Sequence, residues 1–173
     1  MKSFLLALAL LAGLGGLAAQ SFDNAVGVRL GYPFSGSFKH FFDDNNAGEA
    51  VVGFSPFNYY SSFSVGGYYQ RHEPLDLDDD LEPLQWYYGG GAAVHFWNYD
   101  DNDLRLFDAS GRRRDFASTS ISLSGMIGLQ YAFEDVPLEI TVDWRPTIFP
   151  GRLAFGAFRV GRGGLAVRYI LGQ

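Results

Sequence analysis

Beyond residue 20 the apolar side chains recur at every second position, and this one pattern decides most of what the chain can become. The clearest stretch is Thr119–Phe133. It puts Ile121, Leu123, Ile127, Leu129, Tyr131 and Phe133 on one face and Ser118, Ser120, Ser122, Ser124, Gly128 and Gln130 on the other. A period of two is the signature of a β-strand with two unlike faces; the i, i+3, i+4 stripe of an amphipathic helix is absent. The same alternation marks Ala25–Tyr32, Ser37–Phe42, Ala47–Phe54, Ser61–Arg71, Gln85–Trp97, Leu138–Trp144 and Gly163–Leu171. That makes eight strands. Between them stand Tyr32-Pro33, Asp43-Asp44-Asn45-Asn46, Ser55-Pro56-Phe57-Asn58 and Glu134-Asp135-Val136-Pro137, all rich in turn-forming residues. Short turns make sequential strands antiparallel neighbours, and closing the sheet removes its exposed edges.

The first residues are of another kind. MKSFLLALALLAGLGGLAA has Lys2 as a positive start, an apolar run from Phe4 to Leu14, and small residues ending in Ala18-Ala19. It reads as a cleavable signal peptide over residues 1–19, cut after Ala19 or after Ala18, leaving 20–173 as one domain. No later segment is apolar for long enough to cross a bilayer as a helix. The exported chain is therefore a soluble barrel or one that spans a membrane with its strands. It has no cysteine, so no disulfide holds it. Its net charge of −6 argues against a nucleic-acid partner.

Alternation alone does not say which face points outward. A soluble lipocalin-like binder would turn the apolar face in; a membrane barrel turns it out. Two features favour the membrane. Arg29, Lys39, Glu49, Glu139, Asp143, Arg145 and Arg168 fall opposite the apolar residues, and the mixed signs suit an interior network of ion pairs. The apolar face is expected to carry no charge within the strands. Aromatic residues also cluster near both ends of the strands: Tyr32, Phe54, Phe96 and Trp144 toward one end, Tyr69, Trp86, Tyr131 and Tyr169 toward the other. Two such girdles are what the two bilayer interfaces favour. The adjoining Tyr68, Tyr87, Tyr88 and Trp97 are assigned to the same bands.

The segments VGVRLGYP, GSFKHFF…NAGEAVVGF, WYYGGGAAV, IGLQYAFEDVPLEITVDWRP and GGLAVRY, in that order, resemble the small eight-stranded outer-membrane barrels of the OmpX/OmpA-like class. The resemblance covers essentially all of residues 20–173. It implies an all-β, antiparallel, up-and-down transmembrane β-barrel in the bacterial outer membrane, monomeric, among membrane lipid and lipopolysaccharide. It also implies a last-strand signal for the barrel assembly machinery. Gly164, Val167 and Tyr169 match that spacing, although the chain ends Leu171-Gly172-Gln173 without the usual terminal aromatic.

With the N-terminus in the periplasm, the longest outer loop is 98–117. Asp100, Asp101, Asp103 and Asp108 there precede Arg112, Arg113 and Arg114. It reads as a loop that balances its own charge. The acidic segment 72–83 falls on the periplasmic side, where turns are usually short. Three histidines, His40, His72 and His95, were candidates for a general base. His95 faces the polar side with Ser118 and Ser120 nearby, but no His-x-Ser-Asn pattern of lipid-deacylating barrels is present. Eight strands enclose side chains and leave no aqueous pore. The expectation is a non-enzymatic barrel without metal or cofactor, serving envelope integrity or surface interaction and adhesion through its loops. The alternatives are a lipid-A-modifying enzyme and a soluble ligand-binding barrel.

Overall fold

The computed structural model describes residues 23–56, 60–75, 84–99, 119–150, 158–159 and 163–172. The leader at 1–19, most of loop 98–117 and the acidic run at 76–83 lie outside the described residues. Ten strand segments follow in order: β1 Asn24–Gly31, β2 Phe34–Phe41, β3 Asn46–Pro56, β4 Tyr60–Pro74, β5 Leu84–Tyr99, β6 Thr119–Ala132, β7 Leu138–Trp144, β8 Thr147–Ile148, β9 Phe158–Arg159 and β10 Gly163–Leu171.

These ten segments build eight walls. β7 and β8 both pair with β6 in one continuous register, Trp144 opposite Ile127 and Ile148 opposite Leu123. Only Arg145 and Pro146 interrupt them, and proline has no N–H to give a ladder. The Pro146 carbonyl still accepts from Gly125 N at 3.1 Å. β9 and β10 likewise share one flank: β9 pairs with β8 and β10 with β7. Every neighbour is antiparallel, β5 pairs with β6, and β1 pairs with β10 from Asn24–Leu171 to Gly31–Gly164. The sheet is a closed, eight-stranded, antiparallel up-and-down barrel; among the described strands, short β9 alone is paired on one side only.

The strands are strongly staggered. One circuit of hydrogen-bonded neighbours starts at Tyr169 and runs through Val26, Phe38, Ala50, Gly67, Ala92, Leu123 and Ile148. It returns at Phe158, far along the flank it left. Closure with such an offset tilts the strands against the barrel axis. Side chains well separated along their strands thereby meet in the middle.

The barrel is apolar outside and polar within. Ile121 and Val142 are 55% and 56% exposed, and Val26, Leu30, Phe38, Val52, Val65, Leu129 and Leu165 share their wall. Lys39, Glu49, Gln70, Glu139 and Arg168 are buried. This is the reverse of a soluble ligand-binding barrel, and it makes the fold a transmembrane β-barrel. One expectation needs correcting: the outer face does carry charge. Arg71 and Glu73 point outward near the end of β4, where they pair with each other at 2.7 Å. At a strand end a paired charge lies where headgroups and water meet the wall, so its cost is small.

Glycine has a structural task where strands approach closely. A Cβ on Gly27 would stand 2.0 Å from the Val167 carbonyl oxygen, and one on Gly89 would stand 1.9 Å from that of Tyr69. Both sites need a bare backbone for neighbouring strands to approach. Gly36, on the outer face of β2, has open space where a Cβ would go.

Candidate functional site: the charged interior

Strand parity directs seven ionised side chains into the barrel, and tilt brings them together. Glu49 on β3 is the hub. One carboxylate oxygen accepts from Ser37 Oγ at 2.8 Å, from Arg168 Nη2, and from Arg29 Nη1 at 3.4 Å. The other accepts from Arg145 Nη2 and from Gln70 Nε2, each at 2.6 Å. Asp143 is a second anchor. Arg29 Nη2 donates to both of its oxygens at 2.7 and 2.8 Å, Tyr87 Oη donates at 2.7 Å, and Arg145 Nη2 adds a bond at 3.2 Å.

Arg168 joins this group to a third carboxylate. Its Nη1 donates to Glu139 at 2.6 Å and its Nε to Ser37 Oγ at 2.7 Å. Lys39 Nζ stands 3.5 Å from Glu139, donates to Gln130 Oε1, and lies over the rings of Phe41 and Tyr87. Arg29, Lys39, Glu49, Glu139, Asp143, Arg145 and Arg168 thus form one connected cluster. A lone ion in such surroundings would be very unfavourable; mutual pairing and hydroxyl or amide donors make these tolerable. The cluster closes the waist of the barrel.

Aromatic residues complete the filling, and here the sequence reading missed several. Tyr87 is buried with its ring stacked on His72, 4.9 Å between centroids, and Phe41 packs on the other side of that histidine. Trp97 also points inward, its Nε1 donating to Ser120 at 2.7 Å. Tyr68 faces inward beneath the Arg145 guanidinium, 4.7 Å from ring centre to Cζ. None of the three belongs to an outer band. Tyr32 also departs from expectation: its hydroxyl oxygen is shut from solvent and the residue lines the interior cavity. Gly31, with φ +154°, ends the alternation of β1 just before it.

Of the other proposed girdle residues, Phe54, Tyr69, Phe96 and Trp144 are exposed on the outer wall. Trp86, Tyr131 and Tyr169 lie half-buried on that wall. Tyr69, Trp86, Tyr131 and Tyr169 stand toward the end that carries the 42–45 and 133–137 turns. In the last strand Val167 and Tyr169 face out, while Gly164 faces the cavity.

His95 is buried inside the upper barrel. Its Nε2 lies 2.8 Å from Ser122 Oγ, not against Ser120, which Trp97 occupies; Ser118 lies outside the described residues. The His95 ring stacks on Trp97 and meets Phe149. Among the described residues no group of three His, Asp or Glu is placed to hold a metal ion.

No family model matches the chain, and no curated protein is similar enough to count as a relative. Among solved structures it is similar to the crystal structure of Neisserial surface protein A (NspA). The identity is 14%, with a TM-score of 0.50, over 85% of this chain and 92% of that one. At that identity the likeness concerns the fold.

Proposed function

We propose that this protein is a non-enzymatic, monomeric barrel of the bacterial outer membrane, exported through the leader at 1–19. Its role is envelope integrity, or surface interaction and adhesion through the loops at one end. The observation that carries the reading is the inverted polarity of the wall. Apolar side chains face outward all round, and seven ionised ones pair within. Only surroundings of hydrocarbon make that arrangement favourable. Its neighbours would be membrane lipid and lipopolysaccharide, and the assembly machinery would read Gly164, Val167 and Tyr169 on the last strand. The fold likeness to a neisserial surface protein supports the same placement.

The closed waist argues against a pore. Ser122, the hydroxyl that His95 touches, is 1% exposed, which speaks against a nucleophile open to a lipid acyl chain. The test is fractionation of expressing cells, with a gel of unheated and heated membrane samples in detergent. The expected result is recovery in the outer-membrane fraction with a heat-dependent change in mobility. Recovery free in the periplasm would overturn the reading. The His95→Ala variant is expected to leave the lipid A profile unchanged; a lost modification would establish the enzyme instead.

A further inference from the structure

Among the described side chains of the strands, Arg71 and Glu73 are the charges that face outward. Their place on the wall is particular. The outward positions of β4 run Val65, Gly67, Tyr69, Arg71 and Glu73, so the charges come directly after the aromatic band. Across the ladder, β5 sets Tyr88 opposite Arg71 and Trp86 opposite Glu73. Those two rings are stacked, 5.2 Å between centroids. An ion pair thus lies alongside a pair of stacked rings, in the girdle where hydrocarbon gives way to headgroups.

The ion pair is only partly used. Arg71 Nε donates to Glu73 Oε1 at 2.7 Å, and among the described residues neither terminal nitrogen of the guanidinium has a protein acceptor. The second Glu73 oxygen likewise accepts nothing from them. Asn46, opposite Arg71 on β3, is taken up by Tyr69 and Asp43. The Arg71 side chain is 48% exposed and that of Glu73 33%, so both are open to a molecule lying against the wall. What remains is a two-pronged donor beside an acceptor, with no net charge.

That pattern selects among headgroups. A guanidinium edge matches phosphate oxygens, and a carboxylate oxygen matches an ammonium with N–H groups to give. A headgroup with phosphate and primary ammonium two carbons apart can lie across the pair with its charges opposed to it. The rings of Trp86 and Tyr88 offer their faces to the same ammonium. An anionic headgroup would gain Arg71 and be repelled by Glu73. A quaternary ammonium has no N–H for the carboxylate.

We propose that Arg71 and Glu73 form a site for a zwitterionic phospholipid whose headgroup ends in a primary ammonium. The phosphate sits on the terminal guanidinium nitrogens and the ammonium on Glu73. This inference rests on the membrane reading above and adds the class of lipid held at one place on the wall.

The test places a variant with Trp86 as its one tryptophan (Trp97→Phe, Trp144→Phe) in phosphatidylcholine vesicles containing a minor fraction of brominated lipid. Brominated phosphatidylethanolamine is expected to quench Trp86 roughly twofold to fivefold more effectively than brominated phosphatidylcholine or phosphatidylglycerol at equal fraction, the scale of an exposed ion pair. Adding Glu73→Gln or Arg71→Gln abolishes the preference. A variant keeping Trp144 alone shows none. Should these variants fail to fold, native mass spectrometry of the otherwise unaltered protein, released from micelles holding equal amounts of the three lipids, counts the lipid retained; Glu73→Gln again removes the preference. Equal quenching or retention of the three lipids, a stronger response to the anionic one, or a preference that survives Glu73→Gln would overturn the proposal and leave membrane location untouched. Trp86 unquenched by every brominated lipid would instead overturn the membrane reading on which the proposal rests.

Discussion

Replacing Glu49 by glutamine keeps the volume of the hub and removes its charge. Three guanidinium groups then lose a shared counter-ion: Arg145 at 2.6 Å, Arg168, and Arg29 at 3.4 Å. Removing one partner of a buried pair costs about 3–5 kcal/mol, because the other is left uncompensated. The three losses do not add. Arg29 keeps its two-pronged contact with Asp143, Arg145 keeps a bond to Asp143 at 3.2 Å, and Arg168 keeps Glu139 at 2.6 Å. Neighbours in one network share such penalties. The expected destabilisation is therefore about 3 kcal/mol, more than a hundredfold in the folding equilibrium. Urea unfolding and refolding in phospholipid vesicles, followed by tryptophan fluorescence, measures it. A double-mutant cycle sharpens the result: with Arg145→Met already present, Glu49→Gln should cost at least about 1 kcal/mol less. Glu73→Gln, which breaks a solvent-facing pair, should stay within about 0.5 kcal/mol. A Glu49→Gln cost under about 1 kcal/mol, or full additivity with Arg145→Met, would refute the claim that the interior is one coupled ion network.

Three further outcomes are expected. Of the three tryptophans, Trp86 and Trp144 in single-tryptophan variants are quenched by brominated lipid, whereas Trp97 is protected; quenching of Trp97 would contradict its inward placement. Gly27→Ala destabilises by about 1–3 kcal/mol or blocks closure, because its Cβ meets the Val167 carbonyl, while Gly36→Ala is neutral in the same unfolding assay. In the 42–45 turn the Asn46 side chain and the Asn45 and Asn46 backbone N–H groups donate to Asp43 and hold its carboxyl below the ordinary 3.8. A depressed folded value means that its contribution is present above the unfolded pKa and lost as pH falls through the folded one. NMR titration of Asp43 should find a midpoint below 3.8, and Asn46→Ala should move it upward.

The sequence carried the strands well because a half-apolar wall imposes a strict period of two. Thr119–Phe133 and Leu138–Trp144 leave no choice of phase. Phase was harder to read where every neighbour is aromatic. Trp86-Tyr87-Tyr88 offers three rings in a row, and only the packing of His72 selects Tyr87 for the inside. Phe96-Trp97 poses the same problem, resolved by Ser120 as acceptor for the indole. Strand parity named the seven interior charges but could not say who pairs with whom. Glu49 meets Arg145 through the stagger of the walls, a property of closure and of no local segment. The bend of the chain at Gly31, which turns Tyr32 inward, has no period to betray it. Short β8 was missed because Pro146 hides the continuation of β7, although Thr147 and Ile148 resume its alternation.

The pairing of β1 with β10 has a consequence for biogenesis. The first wall to leave the ribosome waits for the last one, since Asn24 needs Leu171 and Gly31 needs Gly164. Any chain stopped short of its final nine-residue segment presents two raw flanks, each ready to recruit a stranger's backbone. Closure of the barrel therefore depends on that one suture between its first and last strands.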